Sequence, residues 1–313
     1  MRIALTGATG FAGRPILAEL LVAGHNVKVL VRRPKDGQFP AAKIITGGLG
    51  DLTALQALVS DVDVVVHVAG AISATSDAEF FRVNFAGTKR LFEAAQAAAV
   101  KRFVYVSSIT ARLPSISAYA ASKRAAEDYL QNVATKMEVV VLRPSAIYGP
   151  GDKATLPLLA ALQKRVALLP GKASARFSLV HVADFAAVVL DAAVSKVTGL
   201  FEIDDMAGGH NWAELAAINF KHAGLPQHVI YLPKGLVSFV ALGAEVGTFF
   251  TGLPCMVTRA KVRELYHDDW VARGANWPRA KPIGLQEGLI ETINWYRREG
   301  WLPPLKQAIR RPA

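Results

Sequence analysis

Tyr119 and Lys123 lie four residues apart, at the start of a stretch from Ala118 to Ala134 that reads as a helix. At that spacing they share a face. A free phenol ionises at about pH 10 and is a poor base at neutral pH. A neighbouring ammonium favours the phenolate, and so does the positive end of a helix dipole. Ser117 stands just before the stretch, where its hydroxyl would cap the first backbone N–H groups. The spacing therefore predicts a general acid/base whose ionisation is drawn down towards neutrality. The pair follows an apolar run, Phe103 to Val106, that leads into Ser107 and Ser108.

A second constellation lies near the N-terminus. Thr6-Gly7-Ala8-Thr9-Gly10-Phe11-Ala12-Gly13 follows a strand-like run and opens a helix-like one. Gly7 would permit a tight turn, Gly10 the approach of backbone to a pyrophosphate, and Gly13 close helix–strand packing. The helix start would turn N–H groups and its dipole towards phosphates. The end of the second strand reports on a dinucleotide's ribose. An acid there would bind a 2′-hydroxyl, whereas an arginine would pair with a 2′-phosphate. The sequence has Val31-Arg32-Arg33-Pro34 and no acid. Arg32 and Arg33 thus favour NADP over NAD.

These groups need a scaffold, and the chain's rhythm supplies one. Ile3–Leu5, Val27–Val31, Lys43–Thr46, Val62–Val68, Phe103–Val106 and Val139–Leu142 read as strands. Pro15–Ala23, Leu52–Val59, Glu79–Ala99 and Ala118–Ala134 read as helices. Such alternation predicts an α/β fold with a doubly wound parallel sheet. Val62 to Val68 is almost continuously apolar, as a strand buried on both faces requires. After Gly149-Pro150-Gly151 the rhythm breaks into shorter, proline-punctuated elements. The expected division is a dinucleotide-binding domain over 1–150, joined by about 178–200, with 151–313 forming mainly a smaller, mixed substrate domain. Ligands in such sheets lie outside the carboxyl ends of the strands. Arg310 to Ala313 is expected to be a frayed tail.

Composition narrows the class. The chain has 313 residues, 52% of them hydrophobic and 19% charged, which supports a large core and excludes wholesale disorder. Its one cysteine, Cys255, forbids an intrachain disulfide and suits a reducing, cytoplasmic setting. No activating motif surrounds Cys255, so it reads as a packing residue. The net charge is +11, but the basic residues are scattered and not interleaved with aromatics. That pattern favours anionic small ligands over nucleic acid. The seven histidines are dispersed, so no metal site is expected. Met1 to Leu5 runs straight into a strand, so no leader peptide is expected.

Further motifs follow in order: Gly50-Asp51-Leu52, His67-Val68-Ala69-Gly70, Val83-Asn84-Phe85-Ala86-Gly87-Thr88, Tyr119-Ala120-Ala121-Ser122-Lys123, Arg143-Pro144, Tyr148-Gly149-Pro150-Gly151 and Val180-His181-Val182-Ala183-Asp184. With the Thr-Gly-x-x-Gly-x-x-Gly turn, they resemble the extended short-chain dehydrogenase/reductase family, of the NAD-dependent epimerase/dehydratase type. The resemblance implies that Gly7, Thr9, Gly10, Phe11 and Gly13 hold the pyrophosphate. It places Asp51 and Leu52 beside the adenine, and Ala69, Gly70 and Pro144 along the cofactor. Lys123 would hydrogen-bond the nicotinamide ribose next to Tyr119. A serine or threonine would hold the reacting oxygen of the substrate: Ser108 first, with Ser107 and Thr110 as alternatives. The run from Ser108 to Tyr119 is shorter than extended members usually have. Asn84 would be a buried polar organiser, and His181 and Asp184 would join the two regions. The family often forms homodimers through the two long helices, here Glu79–Ala99 and Ala118–Ala134.

Three functions compete: an NAD(P)-dependent oxidoreductase on a carbonyl or alcohol, a nucleotide-sugar epimerase or dehydratase, and a non-catalytic cofactor-binding scaffold. The Tyr–Lys pair favours an enzyme. Gly235 to Met256 is apolar apart from Glu245, nearly the length of about 20 residues that a bilayer span needs. Its glycines and Glu245 speak for a core helix instead, or for an apolar wall or lid over the pocket that touches a membrane surface. The surrounding pattern resembles the steroid dehydrogenase and dihydroflavonol reductase branch, which favours an apolar carbonyl substrate. Against that stands Arg176, one residue out of register with the diphosphate-binding arginine of nucleotide-sugar enzymes.

Overall fold

The computed structural model describes residues 1–223, 228–251, 258–277 and 282–304. Cys255, the end of the apolar stretch and the expected C-terminal tail lie outside the described residues. In chain order the first half comprises β1 (Arg2–Thr6), α1 (Gly13–Val22), β2 (Asn26–Val31), β3 (Lys43–Thr46), α2 (Leu52–Val59), β4 (Val64–His67), α3 (Asp77–Phe80), α4 (Gly87–Ala97), β5 (Arg102–Val106), α5 (Ala118–Asn132) and β6 (Glu138–Pro144). Then follow β7 (Ala146–Tyr148), α6 (Leu156–Leu162), β8 (Val166–Pro170), β9 (Arg176–Phe177), β10 (Leu179–His181), α7 (Val182–Val194) and β11 (Gly199–Ile203). The last elements are α8 (Trp212–Ala223), β12 (His228–Leu232), α9 (Lys234–Thr251), α10 (Arg259–Leu265), β13 (Asp269–Trp270) and α11 (Leu285–Arg298).

Seven strands form one sheet in the order β11-β6-β5-β4-β1-β2-β3, every pair parallel. The order reverses between β1 and β4, the point where doubly wound sheets bind ligands. Alternate side chains explain the two faces. Ile3, Leu5, Val64, Val66 and Val104 pack with Ile16, Leu20, Phe185 and Val189 on one side. Ala4, Val65, Phe103 and Tyr105 pack with Leu55, Leu58, Leu91 and Phe92 on the other. Burying each large apolar side chain contributes about 1.5–3 kcal/mol, so a one-residue slip of register would be prohibitive. A third core gathers Leu159, Leu162, Leu169, Trp212, Leu215, Leu289, Ile293 and Tyr296 from the later elements.

One expected element differs. The helix read over Glu79–Ala99 is instead α3, a π-helical turn over Phe81–Ala86, and α4. The cause lies in Asn84, whose side chain bonds outside the helix. Asn84 Nδ2 donates to Ala71 O and to Ser122 Oγ, both at 3.0 Å, and Asn84 Oδ1 accepts from Ala71 N at 2.7 Å. Single π turns of this kind commonly mark functional sites.

Candidate active site

The carboxyl ends of the parallel neighbours β1, β4 and β5 lie side by side. Gly7 has φ +83°, and a Cβ there would stand 2.7 Å from Ala69 N. A Cβ on Gly13 would stand 1.9 Å from Gly7 O. Both glycines are therefore required by close backbone contact. No side chain caps α1, so its positive end faces the glycine turn. Thr9 and Gly10 are exposed at the turn, and Phe11 is half-buried beside it. Beneath them, buried His67 ties β4 to β1 and α4, with Nδ1 2.7 Å from Thr6 Oγ1 and Nε2 2.9 Å from Thr88 Oγ1. Burial pushes its ionisation down to about 3, so it is a neutral strut.

The other positions expected at the dinucleotide lie along the same edge. Arg32 and Arg33 are exposed just after β2. Neither makes an ion pair among the described residues, so both guanidiniums can meet an anion. Asp51 caps α2 through Ala54 N at 3.0 Å, with Leu52 exposed beside it. Ala69 and Gly70 follow β4. Pro144 ends β6, is buried, and pairs with Ile203. A cradle closed to side chains, an uncapped helix end and two available cations fit a dinucleotide.

Ser108, Tyr119 and Lys123, the candidate reactive residues, stand after β5 and at the start of α5. Ser117 caps α5 by accepting from Ala120 N at 3.1 Å, which fixes Tyr119 in the first turn. Ser108 favours ionisation of the Tyr119 phenol, and Ser108 Oγ lies 2.9 Å from Thr110 Oγ1. Ser107 points inward instead and donates to buried Glu127. The geometry thus separates three candidate hydroxyls: Ser108 and Thr110 bond each other after β5, whereas Ser107 belongs to the core. Phe80 stands edge-on to the Tyr119 ring at 5.9 Å between centroids.

Lys123 is buried on the next turn. Its Nζ donates to Val106 O at 2.9 Å and lies over the Tyr105 ring, 5.0 Å from the centroid. A Cβ placed on Gly70 would sit 3.1 Å from both Lys123 Nζ and Asn84 Oδ1. Lysine, asparagine and the Gly70 backbone therefore converge on one point. Burial lowers the Lys123 ionisation to about 8, and Glu127 works against that fall. Arg143 holds Glu127 by two charge-assisted bonds, Nε to Oε1 at 2.9 Å and Nη2 to Oε2 at 2.6 Å.

The expected electrostatics of Tyr119 need correction. Its ionisation is pushed up to about 12, first by burial, with Ser108 lowering it and Glu264 raising it. Lys123 directs its ammonium to the Val106 carbonyl and does not act on the phenol as the spacing suggested. Desolvation outweighs the helix dipole, and the group is a protonated acid at neutral pH.

His181 and Asp184 bind later elements: His181 Nε2 lies 3.6 Å from Glu291 Oε2, and Asp184 Oδ2 accepts from Ile283 N at 2.8 Å. Arg176 is exposed, but its Nη2 donates to Gly208 O at 3.2 Å and to Gly209 O at 2.9 Å. It is not brought to the reactive centre. Glu127 and Glu264 were missed in the sequence. Glu127 carried a weak signal, being one turn beyond Lys123; Glu264 carried none. No group of ligating side chains able to hold a metal ion occurs among the described residues.

Glycine cradle, parallel sheet and Ser–Tyr–Lys centre define a class, and sequence comparison gives the same one. The chain belongs to the NAD dependent epimerase/dehydratase family, whose model matches residues 3–201. It is an NAD(P)-dependent oxidoreductase of the extended short-chain dehydrogenase/reductase type. It is 38% identical over 308 residues to the ceramide reductase of Caulobacter vibrioides (strain NA1000 / CB15N), covering 96% of each chain. It is 31% identical over 213 residues to a 3 beta-hydroxysteroid dehydrogenase/Delta 5→4-isomerase of Mycobacterium tuberculosis, covering 58% of this chain and 57% of that one. Among solved structures, MoeE5 in complex with UDP-glucose and NAD shares the fold with a TM-score of 0.72 at 22% identity, covering 96% of this chain and 99% of that one.

Proposed function

We propose that this enzyme reduces a ketone carried on an apolar, ceramide-like lipid, with NADPH as reductant. The observation that carries the reading is Tyr119 in the capped first turn of α5, its phenol held protonated by burial, one turn from buried Lys123. A bound nicotinamide supplies the hydride to the carbonyl carbon. Ser108 holds the carbonyl oxygen, and Tyr119 gives it a proton as negative charge develops. Lys123 positions the ribose from its site beside Gly70, and solvent returns the proton to Tyr119. Ketone, NADPH and a proton thus become alcohol and NADP. Support for the substrate class comes from the 38% identical ceramide reductase. Residues 1–150 with about 178–200 would form the cofactor half, and 151–313 mainly the substrate half.

The test is NADPH oxidation by the purified chain with a ceramide-type ketone, beside a panel of nucleotide diphosphate sugars. Turnover of the lipid ketone, lost in Tyr119→Phe, is expected. Turnover of a sugar nucleotide that stops in Arg176→Ala would replace this reading with the epimerase one.

The Arg32–Arg33 pair supports the preference for NADPH. Two further assignments concern surroundings. Leu236, Phe239 and Val240 are 54%, 75% and 58% exposed on one side of α9, and no helix is long and apolar enough to cross a membrane among the described residues. With the net charge of +11, this face suits reversible docking of a cytoplasmic enzyme on an anionic bilayer, the source of its substrate. Pairing of two copies across α4 and α5 is the family's usual arrangement; a monomer by light scattering at micromolar concentration would refute it.

A further inference from the structure

Helix α5 and the end of β5 are joined by two polar rungs. Lys123 Nζ donates to the carbonyl of Val106, the last residue of β5, at 2.9 Å. One turn further along α5, buried Glu127 accepts from the hydroxyl of Ser107, the next residue after the strand. Consecutive turns of the helix thus hold consecutive residues of the strand end. Tyr119, Lys123 and Glu127 recur every four residues and share one face of α5. Ser117, which accepts from Ala120 N and donates to Glu264 Oε1 at 2.7 Å, fixes where the helix begins. The two rungs fix how it stands against β5. Glu127 is itself braced from the far side. Arg143 of β6 gives it two bonds, at 2.9 and 2.6 Å, and Ser107 N donates to Leu142 O of β6 at 2.7 Å. Arg143 Nη1 also lies 3.5 Å from Glu202 Oε1 of β11. One carboxylate therefore ties α5 to the ends of β5 and β6.

We infer that Glu127 is a positioning residue: through Ser107 it locks α5 in register with the end of β5, and so sets where Lys123 meets the cofactor and where Tyr119 stands relative to Ser108. This inference rests on the proposed roles of those three residues. Stability does not account for the arrangement. Desolvating a carboxylate and a guanidinium costs about as much as their attraction returns, and apolar residues of similar volume often serve as well. What the pair supplies is direction, because a carboxylate with both oxygens held by Arg143 presents a fixed acceptor to Ser107. Ser107 is flanked by the two strand-end residues that the chemistry uses. Val106 receives Lys123 on its carbonyl, and Ser108 is the hydroxyl proposed to hold the substrate oxygen. An α-helix rises about 1.5 Å per residue, so a slide of less than one residue would move Lys123 Nζ off Val106 O and away from Gly70. Misplacement on the order of 1 Å can cost about a hundredfold in rate.

The experiment uses the full chain and the reduced cofactor that it binds more tightly. S107A removes the rung and leaves the Glu127–Arg143 pair whole. R143K keeps the charge but loses the two-pronged hold on Glu127. T292A is the control: it deletes a buried hydroxyl in α11, bonded to Gly288 O at 2.7 Å, far along the chain from the rungs. Cofactor affinity is read by fluorescence titration, the melting temperature beside it, and kcat and KM by oxidation of the cofactor with the lipid ketone. S107A should weaken the cofactor about threefold and lower kcat about tenfold, with KM for the ketone unchanged. R143K should move both in the same direction. T292A should lower the melting temperature and move neither. Unchanged affinity and kcat in S107A, or equal losses in T292A, overturns the inference. So does a loss in R143K with none in S107A, which would leave Arg143 to the fold alone. Should R143K fail to fold, S107A decides, and should the ketone not turn over, the affinity arm decides. Unaltered cofactor affinity in K123A would instead discard the role of Lys123, on which the inference rests.

Discussion

The β1–β5 half and the α9–α10 unit put their apolar residues to opposite uses. In the first, apolar residues alternate along strands and disappear into two cores, one on each face of the sheet. In the second, α9 buries Ala241 against Val262 of α10 and Tyr266 just after it yet leaves Phe239 three-quarters exposed. The first half presents backbone to a ligand: Gly7, Gly13 and the start of α1. The second presents side chains, some outward and one, Glu264, inward to the cap of the catalytic helix. The contrast teaches that cofactor recognition is built from local chain geometry. The cap of the catalytic helix, by contrast, is held by a residue more than a hundred positions away.

The sharpest way to break this contrast is to strike where the two regions meet. Tyr119→Phe removes only a hydroxyl and should leave folding and cofactor binding intact. Turnover should fall by about 10²–10⁴, the usual contribution of a positioned acid/base. Single-turnover measurement with saturating NADPH checks it. A loss of cofactor affinity instead would mean that Tyr119 belongs to the dinucleotide site and not to the proton transfer.

Much of the first half was legible in the sequence because its determinants are local. Six of the seven strands of the parallel sheet followed from strand–helix alternation, β11 being the one not read, and the turn at Gly7 from glycine spacing. Helix α5 and its cap Ser117 followed from the chain around Tyr119. What escaped was set by tertiary contact. Periodicity alone could not show that Asn84 would pull its helix into a π turn, because the bonds to Ala71 and Ser122 decide it. Nor could spacing show that Lys123 would turn to Val106 O and leave Tyr119 to desolvation. Of three hydroxyls near the end of β5, only packing against Glu127 removed Ser107 from contention. Glu264 lies 147 residues from Ser117 along the chain, beyond any local pattern.

A smaller effect sharpens the cofactor side of the comparison. Arg32 and Arg33 should contribute through charge-assisted bonds to a 2′-phosphate, each worth about 1.5 kcal/mol, the low end, because both are exposed to solvent. Replacing either by alanine should weaken NADPH about tenfold and leave NADH unchanged. Titration of both reduced cofactors by fluorescence reads this directly. Equal affinity for NADH and NADPH in the unaltered chain would show that the arginines are only solvated.

The smallest expected effect tests the outward face of α9. Phe239 is 75% exposed, so Phe239→Ser should change stability by no more than about 0.5 kcal/mol. If the face dips into a bilayer, the lost apolar burial should weaken vesicle binding by roughly 1 kcal/mol, about fivefold. Sedimentation with vesicles containing anionic phospholipid, against vesicles of neutral lipid alone, separates two contributions. The apolar contribution should persist at high salt, whereas the attraction of a +11 chain to an anionic surface should fade as the screening length shortens. Binding that depends on salt but not on Phe239 would assign docking to charge alone and leave the α9 face to another role. Absence of binding to either vesicle would remove the membrane from the proposal, and the substrate would then have to reach the cleft as a free or carried lipid.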